Sequence, residues 1–443
     1  MCYVVALMGL MRFSYLVVYF LVGFTGGELL AQGSADNDGD GMSDAYEVAN
    51  GLNASEDDRF EDADGDGYPN LAEYKKGTLS NEPTGLTPDV IVPDDFPTIS
   101  AALASLTVED GVILVRAKTN LAPYVECIDN TGLDAKRVFI IAEETDAFRT
   151  VIQLPANDAD DFVIASSRDL YLSGFRIIAS REGATPRTAV KVVGDGTHAV
   201  VRCVTQGGLH GVHSIALTRS KLDVVGCLIQ EGLVAGIQMN NEHQARINFS
   251  TIAGFTAAGG AGSGVGIKTV GADGNSSISV TNSILWNAGI ESEVHDTPED
   301  DQIASVSIKY SDVRGIDLSV PNVNLNQNVT PGLAQGMLAG GSVCIDAASL
   351  TESDPPALNI DIRGRARVIG SYPDIGAHEF DEEDVEEDLD GDGVPDGREL
   401  YVTGSLFYQA DSDGDGTNDG ADASPMNEAI TQLDVVITKP VAN

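Results

Sequence analysis

The chain has 443 residues, 42% of them hydrophobic, enough for a sizeable core, and 68 acidic residues against 26 basic ones give a formal charge of −42. Such a charge repels nucleic acid and anionic lipid and attracts divalent cations, so no nucleic-acid partner is expected. Aromatics make up 6% with a single tryptophan while glycine numbers 48, a balance that favours short strands and tight turns and leans all-β.

In chain order, residues 1–33 come first. The run "MCYVVALMGLMRFSYLVVYFLVGFTGGELLA" is apolar and almost uncharged, with Ala31 and Gly33 as small residues at its end, and reads as a signal peptide. Met11-Arg12 begins a conventional signal and offers an alternative start. No later stretch of about 18 apolar residues exists, so no transmembrane helix is expected and the mature chain is expected to be secreted or held at the cell surface by other means. Cys127, Cys203, Cys227 and Cys344 follow the signal and are too scattered for a disulfide framework.

Residues 34–85 carry two acidic dodecamers, and residues 381–427 carry two more. In "DADGDGYPNLAE" Asp62, Asp64 and Asp66 occupy places one, three and five, Gly67 the sixth, Tyr68 the seventh, Asn70 the ninth and Glu73 the twelfth. Calcium is a hard cation that takes six to eight oxygens, and a glycine at the sharp bend lets twelve residues wrap one ion. The side chains at one, three, five, nine and twelve would supply ligands together with the backbone carbonyl at seven. The same frame holds Asp36, Asp38, Asp40, Met42, Asp44 and Glu47; Asp388, Asp390, Asp392, Val394, Asp396 and Glu399; and Asp411, Asp413, Asp415, Thr417, Asp419 and Asp422. Asp422 stands where the others have Glu, which predicts a weaker fourth site. No helix precedes the first loop, and only a short one such as "AYEVANG" follows it, so these are half-hands rather than intact EF-hands. With the "DGDGxPD" style of Asp390 to Asp396, they resemble thrombospondin type 3 repeats, with dockerin-type loops the second match. The resemblance implies calcium-stiffened spacers at both ends of a central domain.

Residues 86–380 repeat one pattern: an apolar residue, a small or apolar one three places on, and usually another apolar one two further. Its instances are Leu172/Phe175/Ile177, Val200/Cys203/Thr205, Val224/Cys227/Ile229, Ile247/Ser250/Ile252, Val280/Ser283/Leu285 and Ile308/Ser311/Val313. The middle members lie 28, 24, 23, 33 and 28 residues apart, a period at which repeats stack as a solenoid. Cys203, Cys227, Ser250, Ser283 and Ser311 are then expected in one interior column. The opening "VPDDFPTISAALASLTVEDGVILV" predicts a short helix over the first coil, then "GVILV" as first strand. This opening resembles pectin-lyase-like right-handed β-helices. "NSILWNAG", "VSIKYSDVRG", "CIDAA" and "PDIGAHEF" resemble the end of bacterial β-helix proteins with a choice-of-anchor Q terminal region, with Ala348 where that family has glycine. The fold class expected is therefore all-β, a single right-handed parallel β-helix flanked by calcium-binding loop segments, with a tail at 428–443.

Right-handed β-helices host polysaccharide lyases and glycoside hydrolases, but fold does not establish chemistry. A lyase needs gathered cations and a base. In the coil register Arg176, Arg202, Arg246 and Lys309 share no column, and Lys191, Lys221 and Lys268 sit outside a shared place, which reads as scattered solvated charge. His210 and His213 read as a loop pair without a third ligand, "DADD" at 158–161 as a turn, and Trp286 as coil packing. The expectation is a monomeric, calcium-binding adhesion or carbohydrate-binding protein whose partner is a polysaccharide or cell-surface component. A lyase or hydrolase on the same scaffold and a dockerin-like module are the alternatives.

Overall fold

A computed structural model describes residues 35–427 apart from 84, 108, 133–136, 156–159, 180–186, 257–262, 272–275, 288–292, 298–304, 316–325, 352–357 and 382–385. The expected signal peptide, the tail and half of "DADD" lie outside the described residues.

Three parallel sheets run the length of a right-handed β-solenoid, nine, seven and eight strands deep. Each coil visits them in turn: in one, His210–Ile215 belongs to the second sheet, Ser220–Val225 to the first and Leu228–Gln230 to the third. Successive coils pair in register, as Val200 with Val224, Val224 with Ile247 and Ile247 with Val280. These residues and their counterparts on the other sheets form one continuous buried core. A coil this short cannot bury its own apolar face, so stacking on its neighbours is what stabilises it.

The expected interior column is present and bonded. The Cys203 N–H donates to Cys227 Sγ (3.4 Å), Cys227 N–H to Ser250 Oγ (3.2 Å), and Ser250 N–H to Ser283 Oγ (3.1 Å). Ser283 N–H then donates to Ser311 Oγ (3.1 Å), and Asn326 extends the series by accepting from Ser311 N–H (3.2 Å). These side chains satisfy amides at the bend between the first and third sheets, where ladder bonding is broken. The four cysteines among the described residues are free thiols, and burial pushes the Cys203 thiol up to about 11.

The short helix over the first coil is Ile99–Ser105, capped by Thr98 Oγ1 accepting from Ala101 N–H (3.1 Å). "GVILV" is the second strand of the first sheet rather than the first, because Val90–Val92 pairs ahead of it. That three-residue strand is too short to declare itself in sequence before Pro93.

The end motifs are staples of the cap. Asp374 accepts from Asp346 N–H and Phe380 N–H (both 2.7 Å), and Glu379 from Ile369 N–H (3.1 Å) and Asp374 N–H (3.0 Å). Trp286 packs partly buried against this cap, as coil packing requires.

Both acidic segments fold back onto the solenoid instead of extending beyond it as spacers. The amino-terminal arm covers the outer face of the first sheet, where Met42 and Leu71 meet Val112, Leu114, Phe139, Ile141, Tyr171 and Val201. The Phe60 and Tyr171 rings lie 5.5 Å apart, and Lys221 Nζ bonds Asp57 Oδ2 at 2.9 Å. This explains why "GVILV" and "VFIIA" are buried along their whole length: a sheet covered on both faces has no polar side to alternate. The carboxy-terminal arm packs on the third sheet, with Leu400, Phe407 and Tyr408 against Phe148, Val204 and Leu228.

Candidate metal centres

The four dodecamers share one local geometry. In each, the first carboxylate accepts from the amides of both glycines, as Asp62 Oδ1 does from Gly65 N–H and Asp62 Oδ2 from Gly67 N–H, both at 2.8 Å. Asp36, Asp388 and Asp411 repeat this with their own glycines. The sixth-place glycines Gly41, Gly67, Gly393 and Gly416 all have φ between 94° and 96°. That left-handed backbone is open to glycine and strained for residues with a Cβ, which is the sharp bend the sequence anticipates.

The third and fifth carboxylates each spend Oδ1 on an amide two residues ahead, as Asp64 Oδ1 does with Asp66 N–H (3.1 Å) and Asp66 Oδ1 with Tyr68 N–H (3.0 Å). Their other oxygens are left over. Oδ2 of Asp38, Asp40, Asp64, Asp66, Asp390, Asp413 and Asp415 is buried with no hydrogen-bond partner. So are both carboxylate oxygens of Glu47 and Glu399, Oε2 of Glu73 and Oδ2 of Asp422. Asp392 is the exception, since its Oδ2 accepts from Gly420 N–H (3.0 Å).

Oxygens of Asp36, Asp38 and Asp40 lie within 4.8 Å of one another, as do those of Asp62, Asp64 and Asp66, and of Asp388, Asp390 and Asp392. Burial, reinforced by neighbouring carboxylates, pushes Glu47 up to about 7, Glu73 and Glu399 up to about 8, and Asp390 up to about 7. Unpaired buried anions are costly, and a divalent cation is a group that would relieve them. The all-oxygen donor set suits a hard ion such as Ca²⁺ or Mg²⁺.

The ninth-place side chains also close their loops. Asp44, Asn70, Asp396 and Asp419 each accept from the amide of the loop's second residue, at 2.9, 3.3, 2.8 and 2.9 Å. Asp396 also takes Arg363 Nη2 at 2.8 Å. In the fourth loop Asp422 Oδ1 accepts from Ser424 N–H (2.9 Å), which leaves that twelfth residue one free oxygen.

Among the cations, Arg176 and Arg202 are buried, so scattered solvated charge does not describe them. Arg176 stacks 3.7 Å over the Tyr408 ring and bonds Gln206 Oε1 at 2.8 Å; Arg202 Nη1 donates to Thr145 O at 2.7 Å. Arg246 pairs with Asp223 at 2.7 Å. Lys191 and Lys268 do share a column: Lys191, His213, Gln238, Lys268 and His295 are register partners on the second sheet. His210 and His213 lie on strand His210–Ile215 rather than on a loop, their rings 4.8 Å apart. His210 Nε2 is 3.0 Å from Gln238 Oε1 and His213 Nε2 is 3.2 Å from Asn240 Oδ1. Sequence spacing missed this column because the residue separations between coils vary, and only the pairing fixes which side chains stack.

Among the described residues no helix is long and apolar enough to cross a membrane. The chain matches no protein-family model, no curated protein and no solved structure.

Proposed function

We propose that this chain is a secreted β-helix protein that binds calcium through its four acidic dodecamers and acts outside the cell in adhesion or carbohydrate binding. The observation that carries the calcium reading is the set of buried carboxylate oxygens without partners, repeated at places three and twelve of every loop. Each loop would hold its ion by the side chains at places one, three, five, nine and twelve and the carbonyl at seven. The resemblance to type 3 repeats agrees with this, although here the repeats lie along the solenoid as braces. Native mass spectrometry of the chain from residue 34, with and without calcium, should count four ions. A chain that takes up none overturns the reading.

The binding face of this reading is the outer side of the second sheet. Neither arm's apolar cluster includes a residue of that sheet. Its outward column sets Lys191, paired with Asp161 at 2.7 Å, and Lys268 beside the polar His213 and Gln238 on a chain that is otherwise strongly acidic, which suits an acidic polysaccharide. The same column favours a second reading, a lyase, since cations there would offset uronate charge and His210 or His213 would take the proton. Burial pushes the His210 imidazole down to about 4, which keeps it neutral at pH 7. Turnover of uronate polymers, lost in His213→Ala, would establish the lyase; binding without turnover supports the adhesion reading.

A further inference from the structure

The first dodecamer does not account for every carboxylate at its centre. Asp58 lies beyond the loop's last residue, yet oxygens of Asp40, Glu47 and Asp58 lie within 4.8 Å of one another. Asp58 is 6% exposed, and Asp40 and Glu47 are fully buried. Asp58 Oδ2 accepts from Asn53 N–H (3.1 Å), but Asp58 Oδ1, Asp40 Oδ2 and both Glu47 carboxylate oxygens are buried with no partner. The adjacent cation is committed elsewhere: Arg59 bonds both Asp57 oxygens, at 2.7 and 3.1 Å, and Gly39 O at 2.9 Å. Three buried anions sharing one space without a counter-charge among them call for a cation.

Asp58 sits in the segment that docks the arm. On one side of it Asp57 Oδ2 receives Lys221 Nζ of the solenoid at 2.9 Å, and on the other Phe60 packs on Tyr171. Its own carbonyl accepts from Asn70 Nδ2 (2.9 Å), the ninth residue of the second loop. One residue therefore touches the first centre with its side chain, the second loop with its backbone, and the solenoid through its neighbours.

We propose that Asp58 is a ligand of the first loop's cation, supplied from outside the dodecamer, so that filling this site fastens the amino-terminal arm to the β-helix. The proposal rests on the calcium reading above. The carboxy-terminal arm offers a weaker parallel: Asp419 reaches Asp392 and Glu399 of the third loop, but both its oxygens are already bonded to Ser412. The first site would thus carry an extra anionic oxygen, and ligand charge count sets calcium affinity.

Calcium titration calorimetry on the full chain, wild type against Asp58→Asn and Asp58→Glu, tests this. Asp58→Asn should weaken one site by about tenfold or more and leave the others unchanged, while Asp58→Glu, which keeps an anionic oxygen, should lose less. Calcium should also protect residues 51–61 from protease in wild type and less so in Asp58→Asn. A variant that titrates like wild type overturns the proposal, and so does equal loss in both variants, which would assign Asp58 a packing role. Absence of calcium uptake by wild type overturns the calcium reading itself, and is thereby distinguishable.

Discussion

Cys227 illustrates how one side chain serves two needs. Its Sγ accepts the Cys203 amide at 3.4 Å while its volume fills the core, and Ser250, Ser283 and Ser311 do the same job in the following coils. Cys227→Ser should therefore unfold within about 1 kcal/mol of wild type, whereas Cys227→Val strands the Cys203 amide and should cost about 1–3 kcal/mol. Urea titration of the two variants measures the difference. His198 is the opposite case, a buried imidazole with neither ring nitrogen partnered, stacked between Leu170 and Leu222. Burial pushes it down to about 4. Its folded value lies below the unfolded one, so the neutral ring's contribution is fully present above pH 6.5 and is lost as pH falls from there to 4, on the order of 3 kcal/mol. His198→Leu, matching the coils on either side, should hold or raise stability at pH 7 and flatten that acid loss in a pH series of thermal melts.

At the scale of elements, the carboxy-terminal arm depends on Arg363. This residue is buried between Asp146 of the solenoid (3.0 Å) and Asp396 of the arm (2.8 Å), 4.9 Å from the Phe407 ring. Its guanidinium is raised above its usual value, because the attraction of Asp146 and Asp396 outweighs the opposing effect of burial. Arg363→Met would leave two buried carboxylates facing each other without their partner, a loss of about 3–5 kcal/mol. The expected result is early protease cutting in 386–426 while the coils resist; a variant as resistant as wild type would show that the apolar contacts of Phe407 and Tyr408 suffice.

For the molecule as a whole, two kinds of cohesion are separable. The coils are held by in-register pairing and an apolar core, the arms by apolar docking beside loops whose crowded carboxylates would, on the calcium reading proposed above, be drawn together by a cation. Chelation should leave the far-ultraviolet β signal of the solenoid and make both arms protease-sensitive. Proton linkage sets the pH dependence. Glu73 and Glu399 are raised to about 8, so the contribution of these two protonated carboxyls to the ion-free arms is fully present below the unfolded carboxylate range near 4.3 and is lost as pH rises towards 8. Under the proposed calcium reading, affinity should run the other way, because the ligands must shed those protons to bind the ion. Calorimetry at pH 6 and pH 8 should find tighter binding at the higher value.

The sequence by itself determined what is periodic and local. The coil repeat, its cysteine and serine column, the helix over the first coil and the four glycine-bent loops were legible because each depends on spacing along the chain and on short-range backbone geometry. Only the tertiary structure decided what depends on distant segments meeting. It turned the arms from spacers into braces, since docking requires the doubly buried strands at 111–115 and 138–142 to find Met42 and Leu71. It likewise brought Asp58 to the first loop and aligned Lys191 with Lys268, because neither the fold-back of an arm nor the register of unequal coils is written in any local run of residues.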